Sequence, residues 1–171
     1  DLSKIEAGKL DLNFSSVDLG HIVEQCAATM QPEANRERVI IRTSLPSGVP
    51  PVVGDERSLR QITLNLMSNA VKFTMPGGQV IVSTALEDDG EVTLRVRDTG
   101  VGMSEKEIET ALEPFRQLAT TSRLALGGTG LGLPLTKALA EANRASFSIE
   151  SALNQGTVVK ITFPSTRVLS E

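Results

Sequence analysis

Residues 55–74, DERSLRQITLNLMSNAVKFT, constrain this chain more than any other stretch. Asp55 is a helix N-cap type, and the run ends near Thr74, where MPGG forces a turn. At about 100° per residue, Leu59, Ile62, Leu66, Ala70 and Phe73 fall on one side of a helix, and Leu64, Met67 and Val71 on another. Between them runs a narrow strip of Gln61, Asn65, Ser68, Asn69 and Lys72. A surface helix has a broad polar face. This one has a thin polar seam between two apolar flanks, so it should be buried on much of its circumference, with the seam lining a groove.

Around that helix the pattern alternates between helical and strand periods. Residues 11 to 17 read as a short strand, and Asp18 caps a helix running to about residue 35. ERVIIRTSL reads as a strand and PSGVPPVVG as a turn-rich connector. QVIVSTALE and EVTLRVRD are strands joined by DDG, a hairpin signal. In the second, Val92, Leu94 and Val96 alternate with polar residues, which buries one face. SEKEIETALEPF is a short helix with a capping box of Ser104 and Glu107. Residues 116 to 127 lack periodicity. GGTGLGLPL opens a helix to about Asn143, and SFSIES and TVVKITFP close as strands. The class is α+β, a sheet covered by helices on one face.

Composition excludes several functions. The 171 residues are 40% hydrophobic and 22% charged, ordinary for a globular domain. The net charge is -4, Trp and Tyr are absent, and the five Phe are scattered, so nucleic-acid binding is not expected. No apolar run is long enough to span a membrane, and no signal peptide opens the chain. The single cysteine, Cys26, can form no internal disulfide and reads as a small buried apolar residue. DLSKIEAGKL has helical spacing without a start signal and reads as the end of a longer helix.

Three stretches carry chemistry. Asn65, Asn69 and Lys72 share the seam. Any one alone reads as a solvated or loop-bonding side chain; three together favour a polar ligand. Amide oxygens are hard ligands suited to Mg²⁺, and an ammonium suits phosphate. In RDTGVGM a carboxylate, Asp98, ends a buried strand ahead of Gly100 and Gly102. This is either a plain turn or a place where a flat ligand meets the backbone, with Asp98 accepting from an exocyclic amine. In GGTGLGLPL, glycines at 127, 128, 130 and 132 lead into a helix whose free amides can bind phosphate. It is neither a Walker A motif nor G-x-G-x-x-G. A flexible linker would not interleave Leu131 and Leu133.

Together and in this order, these motifs closely resemble the catalytic, ATP-binding domain of sensor histidine kinases, over about residues 11 to 164. NLMSNAVKFT is similar to the N box, DTGVGM to the G1 box, EPFRQ to the F box and GTGLGL to the G2 box. NQGTVVKITFP is similar to the segment the family places under the adenine. GLGLPLTKALAEANRASF resembles alphaproteobacterial cell-polarity kinases of the PleC, DivJ and PdhS type. The resemblance implies the Bergerat fold: a two-layer sandwich of a mixed, mostly antiparallel sheet with helices on one face. It implies ATP and Mg²⁺ as cofactors. By position, Asn69 would coordinate Mg²⁺, Asn65 and Lys72 would contact phosphates, and Phe73 would flank the nucleotide. Asp98 would read the adenine amine, while Gly100, Gly102 and Met103 would lie against the nucleotide. Gly128, Thr129, Gly130, Leu131 and Gly132 would cover the phosphates, and Thr157 would sit near the base. Residues 116 to 127 become a lid.

The resemblance divides the chain into the end of a dimerisation helix (1–10), the catalytic domain (11–164) and a tail (165–171). It implies a cytoplasmic domain without membrane contact of its own, in a parent that is soluble or anchored in the inner membrane. The partners implied are the protein's own dimerisation and phosphoacceptor helices, in a homodimer, and a response-regulator receiver domain. Pro134 stands where Ser or Ala is usual, Gln117 where some members place Arg, and NRAS where Gly-Gly is usual; Arg116 or Arg123 could replace the missing arginine contact. His21, the one histidine, lacks the neighbours of an acceptor and reads as an ordinary helix residue. Two other readings compete: a gyrase- or Hsp90-like ATPase, which needs a catalytic Glu on the seam, and a degenerate scaffold.

Overall fold

The computed structural model describes residues 11–113 and 132–169. In chain order the elements are β1 (Phe14–Val17), α1 (Leu19–Glu37), β2 (Ile40–Ser44), β3 (Val52–Asp55), α2 (Glu56–Phe73), β4 (Gln79–Leu86), β5 (Val92–Asp98), α3 (Glu105–Ala111), α4 (Gly132–Ala142), β6 (Ser146–Ser151) and β7 (Thr157–Phe163), then a 3-10 turn over Ser165–Arg167. The main sheet has the order β2-β4-β5-β7-β6. β2 runs parallel to β4, and every other neighbour is antiparallel. The α+β class with a mixed, mostly antiparallel sheet is what the chain forms.

The core lies between one face of this sheet and α1, α2 and α4. Val80, Val82, Leu94, Val96, Ile161 and Phe163 point inward from the strands and are buried. They meet Leu59, Ile62, Leu66, Met67 and Val71 of α2 and Ile22, Val23 and Cys26 of α1, all in one cluster. Each such aliphatic side chain removed from water contributes about 1.5–3 kcal/mol. On α2 only Glu56, Arg57 and Gln61 are exposed. The seam residues Asn65, Ser68, Asn69 and Lys72 are half-buried, as their placement between two apolar flanks requires.

Local signals set the element ends. Asp18 caps α1, Asp55 caps α2, and Ser104 with Glu107 closes a capping box on α3. Asp55 Oδ2 accepts from Ser58 N at 2.8 Å and Oδ1 from Asn13 N at 3.1 Å. Burial acts against the charged form, but these N–H donors, the Ser58 side chain and the nearby Arg57 outweigh it and hold the carboxyl below its ordinary range. Arg38 and Arg144 end α1 and α4 in the left-handed region (φ 59 and 66). At the α4 end, Ala145 N bonds Ala140 O and Arg144 N bonds Glu141 O, a Schellman arrangement in which glycine is usual. Arg144 therefore takes the backbone role of the glycine missing from NRAS.

One element departs from the sequence reading. The second half of PSGVPPVVG is a strand, β3, paired antiparallel with β1 in a separate two-stranded sheet. Three prolines and two glycines hide it, yet Val52 is fully buried. Residues beyond β7 lie against it: Val168 bridges Val52, Leu169 N donates to Pro51 O, and Arg167 stacks 4.5 Å from the Phe14 ring. Cys26 is buried as expected, and burial pushes its thiol up to about 11 against the opposing charge of Arg60. His21 is exposed in the first turn of α1. Among the described residues, no helix is long and apolar enough to cross a membrane.

Candidate functional site

The polar seam of α2 runs toward the end of the central strand β5, where Asp98 is 8% exposed on the helix-covered face. Register puts Thr157 of β7 beside Asp98, and Ser151 of β6 beside Thr157. Paired residues in a sheet share a face, so Ser151, Thr157 and Asp98 form a polar row across three strands. This row replaces the apolar rows of the core at one end of the sandwich.

Backbone contacts shape that end. Asp98 Oδ1 accepts from Gly100 N at 2.8 Å. A side chain at Gly100 would run into the Phe73 carbonyl at the C-terminus of α2, so only glycine lets the strand end approach that helix. Gly102 (φ 70) lies equally tight on the Ala152 carbonyl, and Gly156 (φ 83) on the Asp98 carbonyl. The loop between β6 and β7 is thereby pressed onto the Gly100–Gly102 turn, and Asn154 N donates to Val101 O at 2.6 Å. Ser151 Oγ ties the pieces together. It accepts from Met103 N at 2.7 Å, donates to Gly156 O at 2.9 Å and touches Thr157 Oγ1 at 2.7 Å.

The other end is the seam itself. Among the described residues, none hydrogen-bonds the side chains of Asn65, Asn69 or Lys72. α4 lies beside α2, and a Cβ at its first residue, Gly132, would sit 3.3 Å from Asn69 Nδ2. Thr136, fully buried, donates to Gly132 O at 2.8 Å and holds this first turn. Pro134 is buried inside it, where a missing N–H costs nothing. At the far end of α4, Asn143 is fully buried. Its Oδ1 accepts from Asp55 N at 2.7 Å, and its Nδ2 donates to Ser58 Oγ and Leu139 O.

The structure therefore brings together Asn65, Asn69, Lys72 and Gly132 at one end, and Phe73, Asp98, Gly100, Gly102, Met103 and Thr157 at the other. Gly128, Thr129, Gly130 and Leu131, with Arg116, Gln117 and Arg123, lie outside the described residues. Sequence reasoning passed over Ser151 and Gly156. The available signal for Ser151 was parity: it continues the inward-facing positions Phe147 and Ile149, and a hydroxyl there requires a partner.

The donor set fits a nucleotide. A carboxylate beside a hydroxyl suits an amine-bearing base, and amides with an ammonium suit phosphates. Among the described residues no group of three His, Cys, Asp or Glu gathers to hold a metal. A lone amide oxygen, Asn69 Oδ1, fits Mg²⁺, which takes few protein ligands and completes its shell with phosphates and water.

Comparison with known proteins agrees with the fold. Residues 54–167 match the family described as histidine kinase-, DNA gyrase B-, and HSP90-like ATPase. The cell-division control histidine kinase PdhS of Brucella abortus (strain S19) is 58% identical over 100% of this chain and 17% of the relative. PdhS of Brucella anthropi is 56% identical over the same shares. The chain thus spans 17% of the length of these curated relatives. The crystal structure of full-length ShkA in complex with AMPPNP superimposes with a TM-score of 0.84 at 29% identity, covering 99% of this chain and 35% of that one. The Acinetobacter baumannii histidine kinase AdeS shares the fold, with a TM-score of 0.79 at 21% identity over 97% of this chain and 74% of that one. With two thirds of its length matched from β3 onward, this chain belongs to the histidine kinase-, DNA gyrase B- and HSP90-like ATPase family.

Proposed function

We propose that this chain is the ATP-binding catalytic domain of a two-component sensor histidine kinase. It would position Mg-ATP for transfer of the γ-phosphoryl group to a histidine on a phosphoacceptor helix outside the chain, and then to a response-regulator aspartate. The observation that carries this reading is the pairing of Gly132 with Asn69 at one end of the groove and of Asp98 with Thr157 at the other. Four separated motifs thereby address one ligand.

In this reading Asp98 accepts from the exocyclic amine of the base, and Gly100 and Gly102 let the ring lie against the backbone. Phe73 flanks it, with Met103 at the same turn. Asn65 and Lys72 bind phosphate oxygens, and the amides from Gly128, Thr129, Gly130 and Leu131 into Gly132 cover them. Asn69 would hold Mg²⁺, which when bound would offset charge on the transferred group. The protein's part is orientation and charge neutralisation, the main contributions in phosphoryl transfer. The parent would be a homodimer through its dimerisation helices, with a receiver domain as second partner. We place residues 1–10 at the end of such a helix, 11–164 in the catalytic domain and 165–171 in a tail. The domain would be cytoplasmic, without membrane contact of its own.

An ATPase acting on water would need a carboxylate within the seam. The one acid on α2 is Glu56, exposed in its first turn and 3.4 Å from Arg60, so hydrolysis has no base there. Calorimetric titration of Mg-ATP tests the reading. Binding should be abolished in Asp98→Asn and made insensitive to Mg²⁺ in Asn69→Ala. A folded chain that binds no ATP at millimolar concentration would leave only a scaffold.

A further inference from the structure

We infer that Ser151, a residue set back from the ligand, fixes the direction of the Thr157 hydroxyl and thereby makes the base end selective for an amine over a carbonyl. The inference rests on the nucleotide reading above. It follows from counting protons at one oxygen. Ser151 Oγ has one hydrogen to give and two lone pairs to receive with. Met103 N, at 2.7 Å, can only donate, so it occupies one lone pair. Gly156 O, at 2.9 Å, can only accept, so it takes the single proton. The third partner, Thr157 Oγ1 at 2.7 Å, must then be the donor. Its proton is committed to Ser151 and points away from Asp98.

What Thr157 can offer a ligand is therefore only lone pairs. Asp98, its neighbour across the ladder, is also an acceptor when ionised. The base end presents two acceptors side by side and no hydroxyl proton. An exocyclic amine, as on adenine, meets them as a donor. A carbonyl at the same position, as on guanine or hypoxanthine, meets two like partners and leaves its own lone pairs desolvated and unpaired, the arrangement that most effectively rejects an analogue. Ser151 makes this discrimination without touching the base, by denying Thr157 the rotation that would turn its proton toward a carbonyl. It is a positioning residue.

The test is titration calorimetry of Mg-ATP, Mg-GTP and Mg-ITP into four forms: unmutated, Ser151→Ala, Thr157→Val and the double variant. The expected result is a fall of at least five-fold in the ATP-to-GTP and ATP-to-ITP affinity ratios in Ser151→Ala. Thr157→Val should lower the ratios as well. On the Thr157→Val background, Ser151→Ala should change them by less than two-fold, because no hydroxyl remains to redirect. A purely structural role for Ser151 would weaken all three ligands in proportion and leave the ratios unchanged, which overturns the inference. So would an equal change in ratio on both backgrounds. If Ser151→Ala loses its thermal unfolding transition, Thr157→Val decides alone: an unaltered ratio there refutes the assignment. Failure of the unmutated chain to bind any of the three removes the nucleotide reading itself, and the inference with it.

Discussion

The two ends of the groove are built in opposite ways. At the base end, Gly100, Gly102 and Gly156 each lie where a methyl group would strike a backbone carbonyl, and Ser151 uses its full hydrogen-bonding capacity on its neighbours. At the phosphate end, Asn65, Asn69 and Lys72 stand half-buried with no hydrogen bond to another described residue. In the proposed reading the base end serves fold and ligand at once. The phosphate end holds polar groups the fold does not use. Loss of function should therefore come with loss of stability at one end and without it at the other.

Gly156→Ala should show the largest effect. A residue at φ 83 pressed on the Asp98 carbonyl must both strain and shift the loop. We expect a loss on the order of 3 kcal/mol in urea unfolding, together with loss of ATP binding. A loss under about 1 kcal/mol would show that the base end is not a structural element, and the contrast would fail. Asn143→Ala comes next, at about 2–3 kcal/mol, because it leaves the Asp55 N–H and the Ser58 hydroxyl short of partners in the interior.

Asp55→Asn, remote from the ligand, is a control of intermediate size. Both carboxylate oxygens accept from backbone N–H groups, and an amide can serve only one of them. The expected cost is about 1–2 kcal/mol near neutral pH. The folded-state carboxyl titrates below its unfolded value. Its contribution is thus complete above about pH 4 and is lost as pH falls through the lower, folded value. Unfolding curves of the two forms should converge in acid; a gap independent of pH would show that hydrogen-bond geometry, not charge, sets the cost. The smallest stability effects belong to the seam. Asn69→Ala and Lys72→Ala should move the unfolding midpoint by no more than about 0.5 kcal/mol. Each should still weaken Mg-ATP at least ten-fold in calorimetry. Destabilisation matching that of Gly156→Ala would erase the distinction between the ends.

The same division governs what could be read from sequence. The seam was legible because helical periodicity exposes any polar residue lodged between apolar flanks. Asp98 was legible as a carboxylate at the end of a buried strand, though the same residues also spell a plain turn. The caps at Asp18, Asp55 and Ser104 follow from local chemistry and were legible for that reason. β3 was not, because its pairing with β1 is made across α1 and its flanking prolines signal a turn. Nor was the role of Ser151, or the meeting of Gly132 with Asn69. Parity marks Ser151 as inward-facing, but its bond to Met103 N, like the meeting of Gly132 with Asn69, joins segments far apart in the chain, which no local period encodes.

Asn143 also bears on motion. α4 is fastened at its C-terminal end, where that one side chain is bonded to the backbone and hydroxyl that begin α2, while its first turn is held by packing, with Pro134 buried and Gly132 against Asn69, and among the described residues makes no hydrogen bond to another element. A rod clamped at one end turns about the clamp. Slow amide exchange should therefore persist around Leu139–Ala145 and quicken toward Gly132, with nucleotide lengthening the protected stretch from the loose end inward.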